Sequence, residues 1–254
     1  MTTSILITGG SSGLGAALAL EYAAPGVFIA LNGRSAARLD DIAKQCEQRG
    51  AITTTSLADV TDKAAMRDWM ETVDAAQPLD LIIANAGVSG QTAFEGRDIP
   101  TEAQTRAIFD INVNGVLNTV GPAMDLMRPR KQGQIGIVSS LAGFRGLPSA
   151  PAYCASKAAV RSYGEGLRGV LGDDGIGVSV ICPGYVKSRI TDANDFPMPL
   201  FMQADRAARK IRHGLDRNRG RIAFPFPLYA LVWLLNVLPT GLLDLALSRL
   251  PRKE

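Results

Sequence analysis

Between the apolar run Ile5-Leu6-Ile7 and a helical run over residues 16–24 lies Thr8-Gly9-Gly10-Ser11-Ser12-Gly13-Leu14-Gly15. No other stretch restricts the fold as much, because a buried strand must end, reverse and feed a helix within that single turn. Glycines at 9, 13 and 15 let the backbone bend tightly and let another group come close to it. The helix that begins there offers its first N–H groups and the positive end of its dipole to whatever occupies the turn. A pyrophosphate suits such a place. A glycine cluster alone is more often an ordinary loop. Its position between a first strand and a first helix is what favours a nucleotide.

The same alternation continues along the chain. Runs of strand character at 27–32, 52–56, 79–84, 134–139, 177–181 and 221–224 are separated by helical runs at 36–48, 62–75, 101–128 and 150–171. Strands and helices that alternate in this way imply an α/β fold of Rossmann type, a doubly wound parallel sheet of about seven strands with helices on both faces. Ligands of such sheets bind at the carboxyl ends of the strands, where the glycine turn lies.

Composition excludes several classes. With 46% hydrophobic and 20% charged residues among 254, the chain has the makings of a large core and is not a disordered polymer. Its net charge of +3 is small, and the arginines are scattered, so a nucleic-acid surface has no support. Cys46, Cys154 and Cys182 are too few and too far apart for a disulfide framework or a zinc site, and no metal is expected. Reduced thiols, a cytoplasmic location and no signal peptide are the expectations. His213, the single histidine, is expected on a helix surface.

Tyr153 and Lys157 stand four residues apart, so on a helix the phenol and the ammonium share a face. A phenol that works as acid and base near neutrality needs its pKa of about 10 lowered, and a cation one turn away is placed to help. Alone, such a pair is usually a solvated lysine beside a half-buried ring.

With the other motifs in view, the chain resembles the short-chain dehydrogenase/reductase family over residues 2–224. The resemblance rests on the turn at 8–15, on Asn85-Ala86-Gly87, on Asn112 within Ile111-Asn112-Val113-Asn114-Gly115, on Ser140 thirteen residues before Tyr153, on Tyr153/Lys157 and on Pro183-Gly184. It implies a catalytic set of Asn112, Ser140, Tyr153 and Lys157. Tyr153 would pass a proton to or from the substrate oxygen. Lys157 would lower its pKa and bind the nicotinamide ribose, Ser140 would hold the substrate oxygen, and Asn112 would bend its helix and seat a water linking Lys157 to solvent. Cofactor contacts are implied at Gly9, Ser11, Ser12, Gly13, Leu14, Gly15, Arg34, Asp59, Val60, Asn85, Ala86, Gly87, Tyr153, Lys157, Pro183, Gly184, Val186 and Ser188.

At the end of the second strand, where an acidic residue would bind a free ribose 2′-hydroxyl, this chain has Gly33 followed by Arg34. A guanidinium without a competing carboxylate favours NADP(H) over NAD(H). Arg38 either assists Arg34 or is a solvated helix residue, the second being the plainer expectation. The implied activity interconverts a ketone or aldehyde and a secondary alcohol, in the reducing direction, on a small-molecule substrate that is lipophilic or carries an acyl chain. Alternatives are a reductase of small polar ketones and a non-catalytic dinucleotide-binding regulator or scaffold.

Phe196-Pro197-Met198-Pro199-Leu200-Phe201-Met202 reads as a lid over an apolar substrate, or equally as core or subunit contact. Residues 1–224 form the expected catalytic domain and 225–254 a hydrophobic extension packed on it, with one short helix over 227–238 and another over 242–250. A membrane span needs about twenty apolar residues, and each piece covers about half the required thickness. The extension is therefore expected to rest in a membrane interface or to cover a subunit contact. By resemblance, helices 101–128 and 150–171 form a homodimer interface with Gly164, Gly166 and Gly169 as its small residues. The extension occupies the region through which relatives form tetramers.

Overall fold

A computed structural model describes residues 2–89, 101–147, 149–192 and 197–237. Seven strands, β1 (Ser4–Thr8), β2 (Phe28–Asn32), β3 (Ile52–Ser56), β4 (Leu81–Ala84), β5 (Gly133–Val138), β6 (Ile176–Pro183) and β7 (Arg221–Phe224), form one sheet in the order β3-β2-β1-β4-β5-β6-β7. Every pairing is parallel. The central strands β1 and β4 are buried along their whole length, as strands covered on both faces must be. The Thr-rich β3 lies at an edge, where Ile52 and Thr55 are exposed and no residue is fully buried. After β1 the chain runs outward to β2 and β3, then crosses back to place β4 on the other side of β1. This reversal opens a crevice at the carboxyl ends of β1 and β4.

The helices are α1 (Gly13–Tyr22), α2 (Ala36–Glu47), α3 (Lys63–Ala76), α4 (Thr101–Phe109), α5 (Gly115–Met127), α6 (Pro151–Leu171), α7 (Arg189–Asp192), α8 (Ala204–Leu215) and α9 (Phe226–Val237). Leu18 of α1, Leu39 of α2 and Ile211 of α8 bury themselves in one core, whereas Met66 and Met70 of α3, Val120 of α5 and Val160 of α6 fill the other. The starts follow capping chemistry. Asp62 Oδ1 accepts from the Ala64 and Ala65 amides, each at 3.0 Å, to open α3. Pro151 takes the first position of α6, where its missing N–H costs nothing.

Two differences from the sequence reading have physical causes. The expected helix over 101–128 is divided by a π-helical turn at Asp110–Asn114, an insertion that 3.6-residue periodicity cannot reveal. Gly164 was expected in a subunit contact. It faces its own sheet instead, because a Cβ there would lie 2.7 Å from Val180 Cγ2, while Gly166 and Gly169 have nothing within 4 Å.

The C-terminal extension supplies α9, whose Leu228, Tyr229 and Val232 pack on Leu141, Phe144, Val180 and Cys182. Its outer face is apolar, with Phe226 73% and Trp233 52% exposed. The second expected helix, over 242–250, lies outside the described residues. Among the described residues no helix is long and apolar enough to cross a membrane. All three cysteines are buried free thiols.

Candidate active site

The glycine turn has the backbone its composition implies. Gly9 and Gly13 adopt φ values of +67° and +55°, a region side chains disfavour. A Cβ on Gly15 would stand 2.2 Å from the Gly9 carbonyl oxygen, so α1 can start here only with glycine. Asn85, at the end of β4, ties the turn down. Its Nδ2 donates to the carbonyls of Thr8 and Gly9 at 2.9 and 3.2 Å, while Thr8 Oγ1 accepts from the Asn85 and Ala86 amides at 3.0 and 3.1 Å. Thr8 was read from the sequence only as the first residue of the turn, since its bond to the end of β4 joins positions 77 apart. Asn32 escaped the sequence reading as a site residue. Its Nδ2 donates to the Ala58 carbonyl at 2.7 Å, joining the ends of β2 and β3.

A cleft of about 250 Å³ follows these strand ends. Every residue named above as a cofactor contact lines it, together with Ser140. At the β2 end Gly33 is packed so closely that a Cβ would meet Ser11 Oγ at 3.0 Å. Arg34 and Arg38 are both exposed and both line the cleft. The Asp59 carboxylate accepts from the Thr61 amide and hydroxyl at 2.9 and 2.8 Å, holding the loop that carries Val60.

Tyr153 and Lys157 project from one side of α6, with Lys157 Nζ 5.9 Å from the tyrosine ring centroid. Lys157 is 4% exposed, and its Nζ donates to the Val138 carbonyl at 2.9 Å. Burial pushes the lysine down to about 8. Protein atoms crowded round the phenol push Tyr153 up to about 12, against the opposing effect of its hydrogen bond with Ser140. The lowering of the phenol by Lys157 expected from sequence is absent here, and desolvation sets the direction of the shift. Tyr153 holds its proton throughout the neutral range.

Ser140, two residues past the end of β5, opens a short 3-10 turn over Leu141–Gly143, its Oγ accepting from the Ala142 amide at 3.1 Å. Its neighbour Ser139, read from the sequence only as the end of a strand, is buried and donates to the Lys157 carbonyl at 2.7 Å.

Asn112 alone of the implied catalytic residues does not line the cleft. It is fully buried within the π-helical turn. Its Oδ1 accepts from the Val88 amide at 2.8 Å, and its Nδ2 donates to the Val88 carbonyl and to Ser156 Oγ at 2.9 and 3.0 Å. A π-helical turn interrupts its helix, and the side chain is committed to clamping the loop after β4. That loop leaves no room at Gly87, where a Cβ would sit 3.1 Å from Asn112 Oδ1 and 3.2 Å from Lys157 Nζ.

After β6, Pro183, Gly184, Val186 and Ser188 arch over the glycine turn, a Cβ on Gly13 lying 3.0 Å from Ser188 Cβ. Thr191 Oγ1 pins this arch to the Val186 carbonyl at 3.0 Å. Of the expected lid, Met202 is buried and bridges to Val186, whereas Leu200 and Phe201 are exposed; none of the described residues 197–202 lines the cleft. Phe196 lies outside the described residues.

Comparison with known proteins agrees with this geometry. The sequence model of a family described as short chain dehydrogenase matches residues 3–196. An uncharacterized oxidoreductase of Myxococcus xanthus (strain DK1622) is 39% identical over 246 residues, which is 96% of each chain. A short-chain dehydrogenase from Sphingobium yanoikuyae in complex with NADPH superposes with a TM-score of 0.79 at 23% identity, covering 99% of this chain and 97% of that one. A short chain dehydrogenase from Mycobacterium paratuberculosis bound to NAD gives 0.74 at 26% identity, covering 87% and 94%.

Proposed function

The chain belongs to the short-chain dehydrogenase family and is an oxidoreductase that uses a nicotinamide dinucleotide; from this premise we propose that it reduces ketones to secondary alcohols with NADPH. The observation that carries the reading is the convergence of Ser140, Tyr153 and Lys157 on a cleft that begins at the glycine turn. The chain fits a dinucleotide, for the glycines let the turn fold tightly on itself, with Gly15 packed on the Gly9 carbonyl, so that the backbone at the start of α1 borders the cleft.

The nicotinamide, when bound, supplies the hydride. Tyr153, which retains its proton at neutral pH, donates it to the substrate oxygen, and this protonation state favours reduction. Ser140 orients that oxygen against the phenol. Lys157 remains mostly charged at pH 7 with a pKa of about 8, so it holds the ribose and offsets negative charge left on Tyr153. Asn112 works at one remove, keeping Val88 and the backbone at Gly87 against Lys157.

The preference for NADPH rests on Arg34, with Arg38 beside it on the cleft and no carboxylate at position 33. A charge-assisted pair with a 2′-phosphate is worth about 1.5–3 kcal/mol, or about 10- to 150-fold. Steady-state kinetics with methyl ketones of increasing chain length should give higher kcat/KM with NADPH than with NADH, and higher values for longer chains. Arg34→Asp should reverse the cofactor order. Oxidation of neither cofactor by any ketone removes the reading, and an unchanged cofactor ratio in Arg34→Asp removes the role of Arg34.

The lipophilic substrate is supported by the apolar outer face of α9, which carries Phe226, Leu231, Trp233 and Leu234 at 52% exposure or more and has no charged residue. This face rests in a membrane interface, bringing the site to where such substrates concentrate. The full chain should sediment with lipid vesicles at low salt, and Leu231→Glu/Leu234→Glu should not. A parent protein that stays in the supernatant disposes of the membrane contact. Light scattering of the same preparations reads the homodimer assigned to α4, α5 and α6, where Leu117 and Val170 are exposed.

A further inference from the structure

The turn that carries Ser140 is held from outside by residues the chemistry above does not use. Ser140 itself has extended backbone, with φ −166° and ψ 160°, and is followed by a single three-residue turn. Within the segment only the Ala142, Gly143 and Phe144 amides bond back, at 3.1, 3.0 and 3.2 Å. So short a turn has few bonds of its own with which to fix its start.

Ser140 Oγ has one long external bond, to the Pro183 carbonyl at 3.4 Å, and the rest of the external anchorage comes through Gly143 and Phe144. Gly143 sits directly on α6, where a Cβ would be 2.8 Å from the Lys157 carbonyl, and its own carbonyl accepts from Arg161 Nε at 3.2 Å. Phe144 is 7% exposed and has two guanidiniums against its ring, those of Arg161 and Arg221 at 4.5 and 5.4 Å from the centroid. Glu165 pairs with both arginines and so lets two like charges share one ring. The C-terminal extension closes the cluster. The Tyr229 ring meets Phe144 edge-on at 5.6 Å, and its hydroxyl accepts from Arg221 Nη1 at 3.1 Å. One residue earlier on α9, Leu228 Cδ2 lies 3.0 Å from where a Cβ on Gly184 would be, at another part of the cleft wall.

We propose that Tyr229, Phe144, Arg161, Glu165 and Arg221 are positioning residues for Ser140, so that the C-terminal helix α9 is part of the catalytic apparatus and not only a surface element. The proposal rests on the reading of Ser140 as the group that orients the substrate oxygen. Loss of the ring at 229 frees Phe144, and the start of the turn then drifts from Tyr153. A small misplacement of an orienting group lowers kcat while cofactor binding, made at the other end of the cleft, stays intact.

The test is a double-mutant cycle in the full chain, using NADPH and the most rapidly reduced methyl ketone of the series above. Tyr229→Ala should lower kcat about tenfold with NADPH affinity unchanged by fluorescence titration, and Tyr229→Phe, which keeps the ring, should restore most of the rate. Glu165→Gln, which leaves the extension intact, should behave like Tyr229→Ala. In a Ser140→Ala background both losses should largely disappear, because the group they position is gone. Losses of equal size in both backgrounds, or an unchanged kcat in Tyr229→Ala and Glu165→Gln, overturn the proposal alone. A Ser140→Ala protein as active as the parent overturns it together with the reading of the site.

Discussion

Tyr153→Phe protein is expected to bind NADPH with about the parent affinity and to turn over ketone about 1000-fold more slowly, the scale of loss when a general acid is removed. The substitution takes away one hydroxyl and keeps the ring on α6. Ser140 Oγ loses that partner but keeps the Ala142 amide at 3.1 Å, so the turn after β5 has no reason to move. A neutral hydroxyl exchanged for hydrogen changes stability by only about 1 kcal/mol. The loss therefore falls on the chemical step, and kcat should drop while NADPH affinity and the unfolding midpoint stay near their parent values. Absorbance decay of NADPH with the best methyl ketone reads the first, and fluorescence titration the second. Equal turnover in variant and parent would show that the proton comes from elsewhere.

That experiment probes the part of the site most legible in the sequence. Glycines 9, 13 and 15 could be read because each answers a local steric demand, and local demands leave local signatures. The parallel sheet could be expected for a similar reason, since alternating strand and helix leaves few ways to connect neighbouring strands. What escaped depends on contacts between distant positions. The π-helical turn at Asp110–Asn114 places Asn112 against Val88 across 24 positions, and Gly164 answers to Val180 on the sheet. Arg38 counts as a cleft residue only once β2, α2 and the Asp59 loop are placed. The electrostatics of Tyr153 were misjudged for the same reason. Spacing showed a cation one turn away but could not show how many protein atoms surround both groups, and burial decides the outcome.

Burial of Lys157 leads to the second large effect, in which activity and stability move in opposite directions. Its ammonium is 4% exposed, and the Val138 carbonyl is the acceptor of its proton at 2.9 Å. A pKa that falls from about 10.4 in an unfolded chain to about 8 when folded costs the charged form about 3 kcal/mol. Lys157→Met removes that cost and leaves the Val138 carbonyl without its donor, a loss of about 1 kcal/mol. The variant should therefore be more stable than the parent by about 2 kcal/mol at pH 7. Between about 8 and about 10.4 the unfolded parent binds more protons than the folded one, so the parent gains stability as pH rises through this window. The variant lacks the group and gains nothing there. Its advantage should be largest below pH 8 and should close towards pH 10, as paired urea melts can measure. Reduction of ketones should fall at least about 100-fold, with weaker NADPH binding, because the charge that serves the ribose and Tyr153 is gone. A variant less stable than the parent at pH 7 would mean that the ammonium is better solvated than its surroundings imply. A lysine kept at this cost is kept for what it does in the cleft.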